Sequence, residues 1–440
     1  MRHRFSALCS GALLFALLPA QADDFFQILD TGTPASTERD AAFSHMVYLQ
    51  QILKYGWQSP EAMAGHGREK AGIAQIKTHI FGEAQGKWSD HNGWQLSAQG
   101  ENEWYEWQDN RAHWHSHNGE LRLRDAFIDI TTKNGSWMRV GHQILAWGQS
   151  EGLVITDVLS PQDLSEPLQA ELRDIREQVP ALLLSTPVLS NSKLMAAFTY
   201  KAGSHRFAGE GEAFDFFAPY RQLGLQFVER DPHTDWEAAI RWESQFNGGD
   251  LYLMSARVND NNLSLGALDA SHAYLDQRRQ TITGLGANRA LGNWLLKTEI
   301  AHWRHVPVAT KTPEPWPLHN QTRAMAGLEY SGWSNTSLNI EINHSHTHDH
   351  ADNLTQSADT TGYVVRLRHS AWNDRVTQQF WWIKLAAEDT QVGRWDLSFD
   401  WNDHWTFNLG AVTYTVNSAT SLFWPVRYED SLNFSVHYAF

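Results

Sequence analysis

The sequence predicts an all-β chain that closes into a transmembrane antiparallel β-barrel of about 16–20 strands, most simply 18, with one helical inserted loop. Three observations lead there. From about Ala71 onward, apolar and polar residues alternate between turns, the period of a pleated strand. Short turns recur, as in "KNGS" from Lys133, "SNSK" from Ser190, "DPHTD" from Asp231, "LGN" from Leu291, "WSN" from Trp333 and "WND" from Trp372, with longer polar connections between them. The last ten residues, "SLNFSVHYAF", place Leu432, Phe434, Val436, Tyr438 and Phe440 at every second position. Lipid offers no hydrogen bonds, so a spanning sheet must close on itself with an apolar outside, and a wide interior can be polar.

The elements follow in chain order. Arg2, His3 and Arg4, an apolar run from Gly11 to Ala20 and the small residues Ala20 and Ala22 form a secretory signal peptide over residues 1–22, with cleavage expected before Asp23. Cys9, the only cysteine, lies inside it, so the exported chain carries no thiol chemistry. The formal charge of −15 argues against nucleic acid as a partner. Residues 23–70 differ from the rest. Thr37 and Asp40 resemble a cap, and Ala42, Met46, Leu49 and Leu53 fall at helical spacing, so a small helix or a first strand is open there. Residues 71–440 are the barrel. In it "GWQLSAQ" sets Trp94, Leu96 and Ala98 against Gln95, Ser97 and Gln99, and "TSLNIEIN" sets Leu338, Ile340 and Ile342 against Asn339, Glu341 and Asn343. The alternation is uneven between Asn259 and Gln277, where an additional hairpin fits. The 21 Trp suit the aromatic girdles of a barrel.

The connection over 149–180 is the longest structured one. Ser160-Pro161-Gln162-Asp163 reads as a helix start, and Leu164, Leu168, Leu172 and Ile175 form one apolar stripe. Its acids include Asp163, Glu166, Glu171 and Asp174. Folded inward against the wall, such a helix narrows the pore; lying over the rim, it does not. Arg122 and Arg124 alternate with Leu121 and Leu123, and Arg366 and Arg368 with Val365 and Leu367. Both pairs are expected to line the channel, because charge on the lipid face costs about 2–4 kcal/mol at the midplane. Loop acids facing wall arginines would set a transverse field that sorts small polar solutes.

"GQSEG" (Gly148–Gly152) fits the spacing of a nucleophile elbow, but that motif needs a strand–turn–helix on a parallel sheet, so no catalytic residue is assigned to Ser150. Histidines recur at alternate positions in "HWHSH" (His113, His115, His117) and in "HSHTHDH" (His344, His346, His348, His350). Each set shares one strand face, a spacing compatible with a metal as well as with a polar rim. His344 continues the parity of the lipid-facing Leu338, Ile340 and Ile342, so the strand is expected to have left the bilayer by that point.

"RVGHQILAWGQSEGLVITDVLSPQDL" (Arg139–Leu164) resembles the signature of a proteobacterial outer-membrane barrel family known only as a domain of unknown function. Gly141, Gln143, Trp147, Gly148, Pro161 and Asp163 match its G-R-Q, W-G and N-P-x-D pattern, while His142 stands for Arg and Ser160 for Asn. "AMAGLEYSGWSNTSLNIEI" (Ala324–Ile342) resembles a second stretch of that family. The resemblance implies a barrel in the outer membrane of a Gram-negative cell and no particular substrate. The resulting expectation is a porin-like channel for small polar solutes, narrowed by the 149–180 loop, with no cofactor. Outer-membrane lipids and the barrel assembly machinery are the expected partners, the latter reading the aromatic C-terminal strand. A lipid-acting enzyme and a structural barrel that docks an envelope partner are the other classes these residues leave open.

Overall fold

The computed structural model describes residues 43–57, 71–89, 91–106, 114–166, 175–209, 221, 224–232, 234–385, 389–418, 421, 423–424 and 427–440. Nearly all of the regular structure is β. The first wall strands are β1 (Phe43–Gly56), β2 (Gly72–Ser89), β3 (Asn92–Glu106), β4 (Trp114–Thr131) and β5 (Trp137–Gln143). After the two-residue β6 (Asp163–Leu164) come β7 (Val179–Leu189) and β8 (Ser192–Tyr200). The short β9 (Arg206–Phe207) and β10 (Gln226–Arg230) precede β11 (Trp236–Phe246) and β12 (Gly249–Asn259). A small hairpin, β13 (Ser264–Leu268) and β14 (His272–Asp276), leads to β15 (Arg279–Leu291), β16 (Trp294–Pro307), β17 (Leu318–Trp333) and β18 (Thr336–Thr347). The wall ends with β19 (Asp359–Ala371), β20 (Val376–Leu385), β21 (Thr390–Asp400), β22 (Trp405–Val416) and β23 (Ser431–Ala439).

Eighteen of these strands form one sheet in which each pairs antiparallel with its neighbour along the chain. The sheet closes where β23 meets β1, from Tyr48 opposite Ala439 to Gly56 opposite Ser431. Closure removes every exposed edge, which is what a bilayer demands. No helix among the described residues is long and apolar enough to cross a membrane, and the strands span it instead.

The two ends of the barrel differ. At one end the links are short: 90–91, 132–136, 190–191, 247–248, 292–293, 334–335, 372–375 and 401–404. Positive φ at Gly248 (80°), Gly292 (62°) and Asn335 (52°) permits the tightest of them. The opposite end carries long connections, including 144–178, 201–235 and 260–278. That asymmetry marks the long-loop end as extracellular and the short-turn end as periplasmic. "DPHTD", which reads as a short turn, belongs instead to the long 201–235 connection. The irregular stretch after Asn259 is a real hairpin, but β13 and β14 join β10 in a separate sheet outside the wall.

Side-chain parity sets the two faces. Leu121, Leu123, Ile240, Leu253, Ile300, Ile342, Leu432 and Phe434 are exposed on the outside, where lipid covers them. Ser97, Gln99, Arg124, Glu237, Lys297, Glu299, Asn339 and Glu341 alternate with the outer residues and are buried inward. This apolar exterior on a closed sheet places the chain in an outer membrane. The helical reading of the segment around Met46, Leu49 and Leu53 is corrected: these residues lie on β1, so the wall begins at Phe43 and not at 71. Residues 46, 49 and 53 share one side only at helical spacing, and pairing of the whole segment with both β2 and β23 overrides that local signal. The signal peptide over 1–22 lies outside the described residues.

Candidate functional site: a folded strap in the lumen

Nearly every described residue from Leu145 to Leu164 is buried, although this segment leaves the wall after β5. It turns into the barrel and packs there without regular helix. Leu145, Trp147, Leu153, Ile155, Val158, Leu159 and Leu164 form one apolar core with wall residues that include Leu183, Met195, Tyr252, Met254, Ile282, Trp303 and Met325. The expected helix over the following residues is not formed at either described end. Asp163–Leu164 pairs in parallel with Arg206–Phe207, and Gln162 bridges Arg176. Pro161 O accepts the Glu177 amide at 2.8 Å, and Ile175 O accepts the Asp163 amide at 2.6 Å. The cap-like Ser160 does not start a helix. Its Oγ accepts the Leu145 amide at 2.8 Å and pins the base of the strap. Leu168, Leu172, Glu171 and Asp174 lie outside the described residues.

The tip of the strap is Gln149–Gly152. Glu341 on β18 receives it: Ser150 Oγ donates to Oε1 at 2.8 Å, the Gly152 amide to Oε1 at 2.8 Å and the Glu151 amide to Oε2 at 2.8 Å. A carboxylate that accepts several donors is well satisfied in a buried place. Ser150 Oγ also meets Asn343 and accepts the Leu153 amide at 3.2 Å. Gly152 fits because it has no side chain; a Cβ would stand 2.2 Å from Asn343 Nδ2 and 2.7 Å from Val364 Cγ2. "GQSEG" is therefore a docking tip, and among the described residues no histidine bonds to Ser150.

Next to it, Glu299 accepts the Gln149 amide at 2.5 Å and the Thr156 hydroxyl at 3.0 Å, and Tyr252 Oη donates to it as well. Arginines hold the strap's carbonyls. Arg241 Nη1 reaches Trp147 O at 2.6 Å with its guanidinium over the Tyr252 ring, and Arg323 Nη1 reaches Val154 O at 3.1 Å with its guanidinium over Trp303. Trp303 Nε1 donates to Ile155 O at 3.1 Å. Within the strap, Asp157 takes the Trp147 amide on one oxygen and a two-nitrogen grip from Arg176 on the other.

Ion pairs fix both sides of the lumen. On one side Glu151 meets Arg366 at 3.0 Å and Lys297 at 3.6 Å. On the other, Arg122 meets Glu177 at 2.8 Å, Asp163 at 3.1 Å and Glu101 at 3.3 Å, while Lys77 meets Glu166 at 3.3 Å. Burial pushes the Asp163 carboxyl up, but Arg206, Ser165 and Arg122 outweigh that and hold it below the usual carboxylate range. His205 supports the same corner. Its Nδ1 accepts the Gln162 amide at 2.8 Å, which requires a neutral ring, and burial pushes its pKa down to about 3.

Residues 87–440 match the protein family described as "Protein of unknown function (DUF1302)". The chain belongs to the DUF1302 family. Solved structures with the same fold include a BenF-like porin from Pseudomonas fluorescens, 9% identical at a TM-score of 0.55, covering 91% of this chain and 99% of that one. Pseudomonas aeruginosa OccK2 (OpdF), in complex with glucuronate, is 12% identical at 0.52, covering 90% and 97%. Acinetobacter baumannii OccAB4 is 10% identical at 0.52, covering 92% and 100%. No curated protein matches the chain.

In this DUF1302 protein the signature residues build the strap. Gln143 Nε2 donates to Ala181 O at 3.2 Å across the gap where β5 departs. Trp147 is 2% exposed, and a Cβ on Gly148 would press on Asp157 at 2.8 Å. His142, in place of Arg, bonds Arg124 O through Nδ1 at 2.7 Å. The second matching stretch contributes Glu341, so the two stretches meet at the tip of the strap.

The other expected sites divide. Arg122, Arg124 and Arg366 point inward, and Arg122 and Arg366 touch strap acids directly rather than across a gap. Arg368 shares that parity but lies exposed near the short turn at 372–375. The alternate histidines do not converge. His346 and His344 share Asp359 Oδ1 at 2.8 and 3.3 Å, His348 Nε2 faces Thr322 Oγ1 at 2.9 Å, and His350 Nε2 faces Gln356 O at 2.7 Å. Among the described residues no group of three or more His, Cys, Asp or Glu is arranged to hold a metal ion, which corrects that expectation. His344 and His346 do face outward at the extracellular end, as their parity requires. His113 and the side chains of His115 and His117 lie outside the described residues.

Proposed function

We propose that this protein is an outer-membrane, porin-like channel for small polar solutes, and that the strap, described over 145–166 and 175–177, is its constriction. One observation carries this reading: the strap crosses the lumen and is clamped on opposite walls, by Lys297 and Arg366 at one side and by Arg122 at the other. A clamped crossing segment narrows a pore without closing it by a helix plug, and its charged edge favours polar solutes. The inner face of β1 to β3 is polar: Gln50, Gln75, Ser97 and Gln99 all point inward there, and Gln75 Nε2 donates to Glu166 at 2.9 Å. Purified protein in a planar bilayer is expected to give discrete single-channel steps. A folded barrel without conductance would overturn the channel and favour a structural barrel.

The channel reading makes Ser150 a docking residue and not a nucleophile. Ser150→Ala is therefore expected to leave any esterase or lipase background unchanged. A background hydrolysis that vanished with this substitution would reinstate the enzyme class.

Assembly of the barrel is expected to depend on the seam. Phe440 donates its amide to Val47 O at 2.9 Å and sets its ring edge-on to Tyr438, with centroids 4.8 Å apart. Deleting Phe440 removes both contacts and the aromatic end of the strand that the assembly machinery is proposed to read. The fraction of heat-modifiable barrel in outer-membrane preparations should fall; an unchanged fraction would remove Leu432, Phe434, Val436, Tyr438 and Phe440 as an assembly signal.

A further inference from the structure

We propose that the outer face of the barrel, at the extracellular end of β12, β15 and β16, docks the phosphorylated headgroup of an outer-leaflet glycolipid. The patch is independent of the lumen and of what passes through it. Arg257, Arg279 and Arg304 carry it. Each lies at the parity of residues that face lipid lower on the same strand: Leu253 on β12, Leu285 on β15 and Ile300 on β16. Register brings them together. Arg257 stands opposite Thr281, and Thr281 opposite Arg304 on the next strand, while Arg279 stands opposite Asn259.

Among the described residues, no ion pair neutralises this patch. Arg279 bonds the Asn259 side chain at 3.2 Å and feels repulsion from Arg257. Glu237, the acid that attracts Arg279, points into the barrel and is held there by Thr199 and the Asn259 amide. Among the described residues, Arg257 and Arg304 make no hydrogen bond or ion pair, and both are exposed. Like charges gathered on one outward patch repel, and an external anion relieves that.

The rows below the arginines say what kind of anion fits. One step toward the membrane centre, Ser255, Thr283, His302 and Thr322 form a row of hydroxyls and an imidazole on the same face. One further step down, Leu253, Leu285 and Ile300 are exposed hydrocarbon. Cation, hydroxyl and aliphatic rows in that order match phosphate, sugar hydroxyls and acyl chain in a phosphorylated glycolipid. A free phosphate has no use for the lower two rows. Arginine suits the site because its planar donors pair phosphate oxygens two at a time.

The test uses intact wild-type protein and an Arg257→Ser/Arg304→Ser double variant in detergent. Each is titrated with bis-phosphorylated lipid A, with the same lipid dephosphorylated, and with inorganic phosphate. Each basic residue at an anionic lipid surface adds about a factor of five in affinity, so the double variant should bind the phosphorylated lipid roughly thirty-fold more weakly. Dephosphorylated lipid should bind both proteins equally and weakly. Single-channel conductance should be the same in both, since neither arginine faces the pore, and this serves as the check of folding. Should the double variant fail to fold, Arg304→Gln alone is expected to lose about five-fold. Equal affinity of wild type and folded variant for the phosphorylated lipid would overturn the proposal, as would displacement of that lipid by inorganic phosphate at equimolar concentration.

Discussion

Replacing Glu341 with Ala is expected to raise single-channel conductance by about twofold or more, because the constriction sets the resistance of a porin-like pore. Glu341 is buried and takes three donors from the tip of the strap. Removing it orphans the Glu151 and Gly152 amides and leaves the Ser150 hydroxyl only Asn343 Oδ1, at 3.0 Å, and an unmet buried donor costs about 1–3 kcal/mol. The tip then gains more by swinging into water than by staying. Its loss also frees Glu151 from Arg366 and Lys297, so that wall loses its clamp. Gly152→Ala tests the same contact from the other side, because its Cβ would overlap Asn343 and Val364. Both variants should show a larger and noisier open level, with the barrel still heat-modifiable. Unchanged conductance in both would mean that the strap is not the constriction.

Glu341 was legible in the sequence only as one polar residue in an alternating strand. Its parity with Asn339 and Asn343 places it inward, and that much follows from period-2 reading. Its partner does not, because Ser150 lies 191 residues away and only barrel closure brings the two together. The same holds for Glu299, Tyr252, Arg241 and Arg323, which hold the strap and have no local signature. By contrast, the lipid-facing Leu121, Leu123, Ile340 and Ile342 were legible because each answers only to its own strand's pleat. The strap misled for a physical reason. The described apolar residues of 145–164 bury against a wall that surrounds them, and their irregular backbone finds partners on that wall, as Trp147 O does on Arg241 and Val154 O on Arg323, while Leu168 and Leu172 of the expected stripe lie outside the described residues. The segment around Met46 misled in the same manner. Its local spacing fits a helix, while two neighbouring strands offer it a full ladder of hydrogen bonds.

The largest loss of folded protein is expected from Gly141→Ala. Gly141 lies on β5 two residues before the chain leaves the wall, opposite Phe127 on one side and Ala181 on the other. Its φ is +137°, a region that residues with a Cβ rarely adopt. An added Cβ would stand 2.1 Å from Ala126 O and 2.6 Å from Phe127 Cα. Those are backbone atoms of β4, so no side-chain rotation relieves the overlap. Either the β4–β5 ladder parts or β5 shifts register, and a one-residue slip would turn Arg139 out to lipid and Val140 in. Arg139 now pairs Asp129 at 2.7 Å inside the barrel; that pair would be lost on the lipid face, where a charge so close to the short turn costs up to about 1 kcal/mol besides. Both routes also move Gln143 and the root of the strap, so constriction and wall fail together. Membranes from cells expressing Gly141→Ala should hold little heat-modifiable barrel compared with wild type, while Gly82→Ala, where a Cβ meets nothing within 4 Å, should assemble normally. Equal recovery of the two variants would show that the close approach at Gly141 does not govern folding.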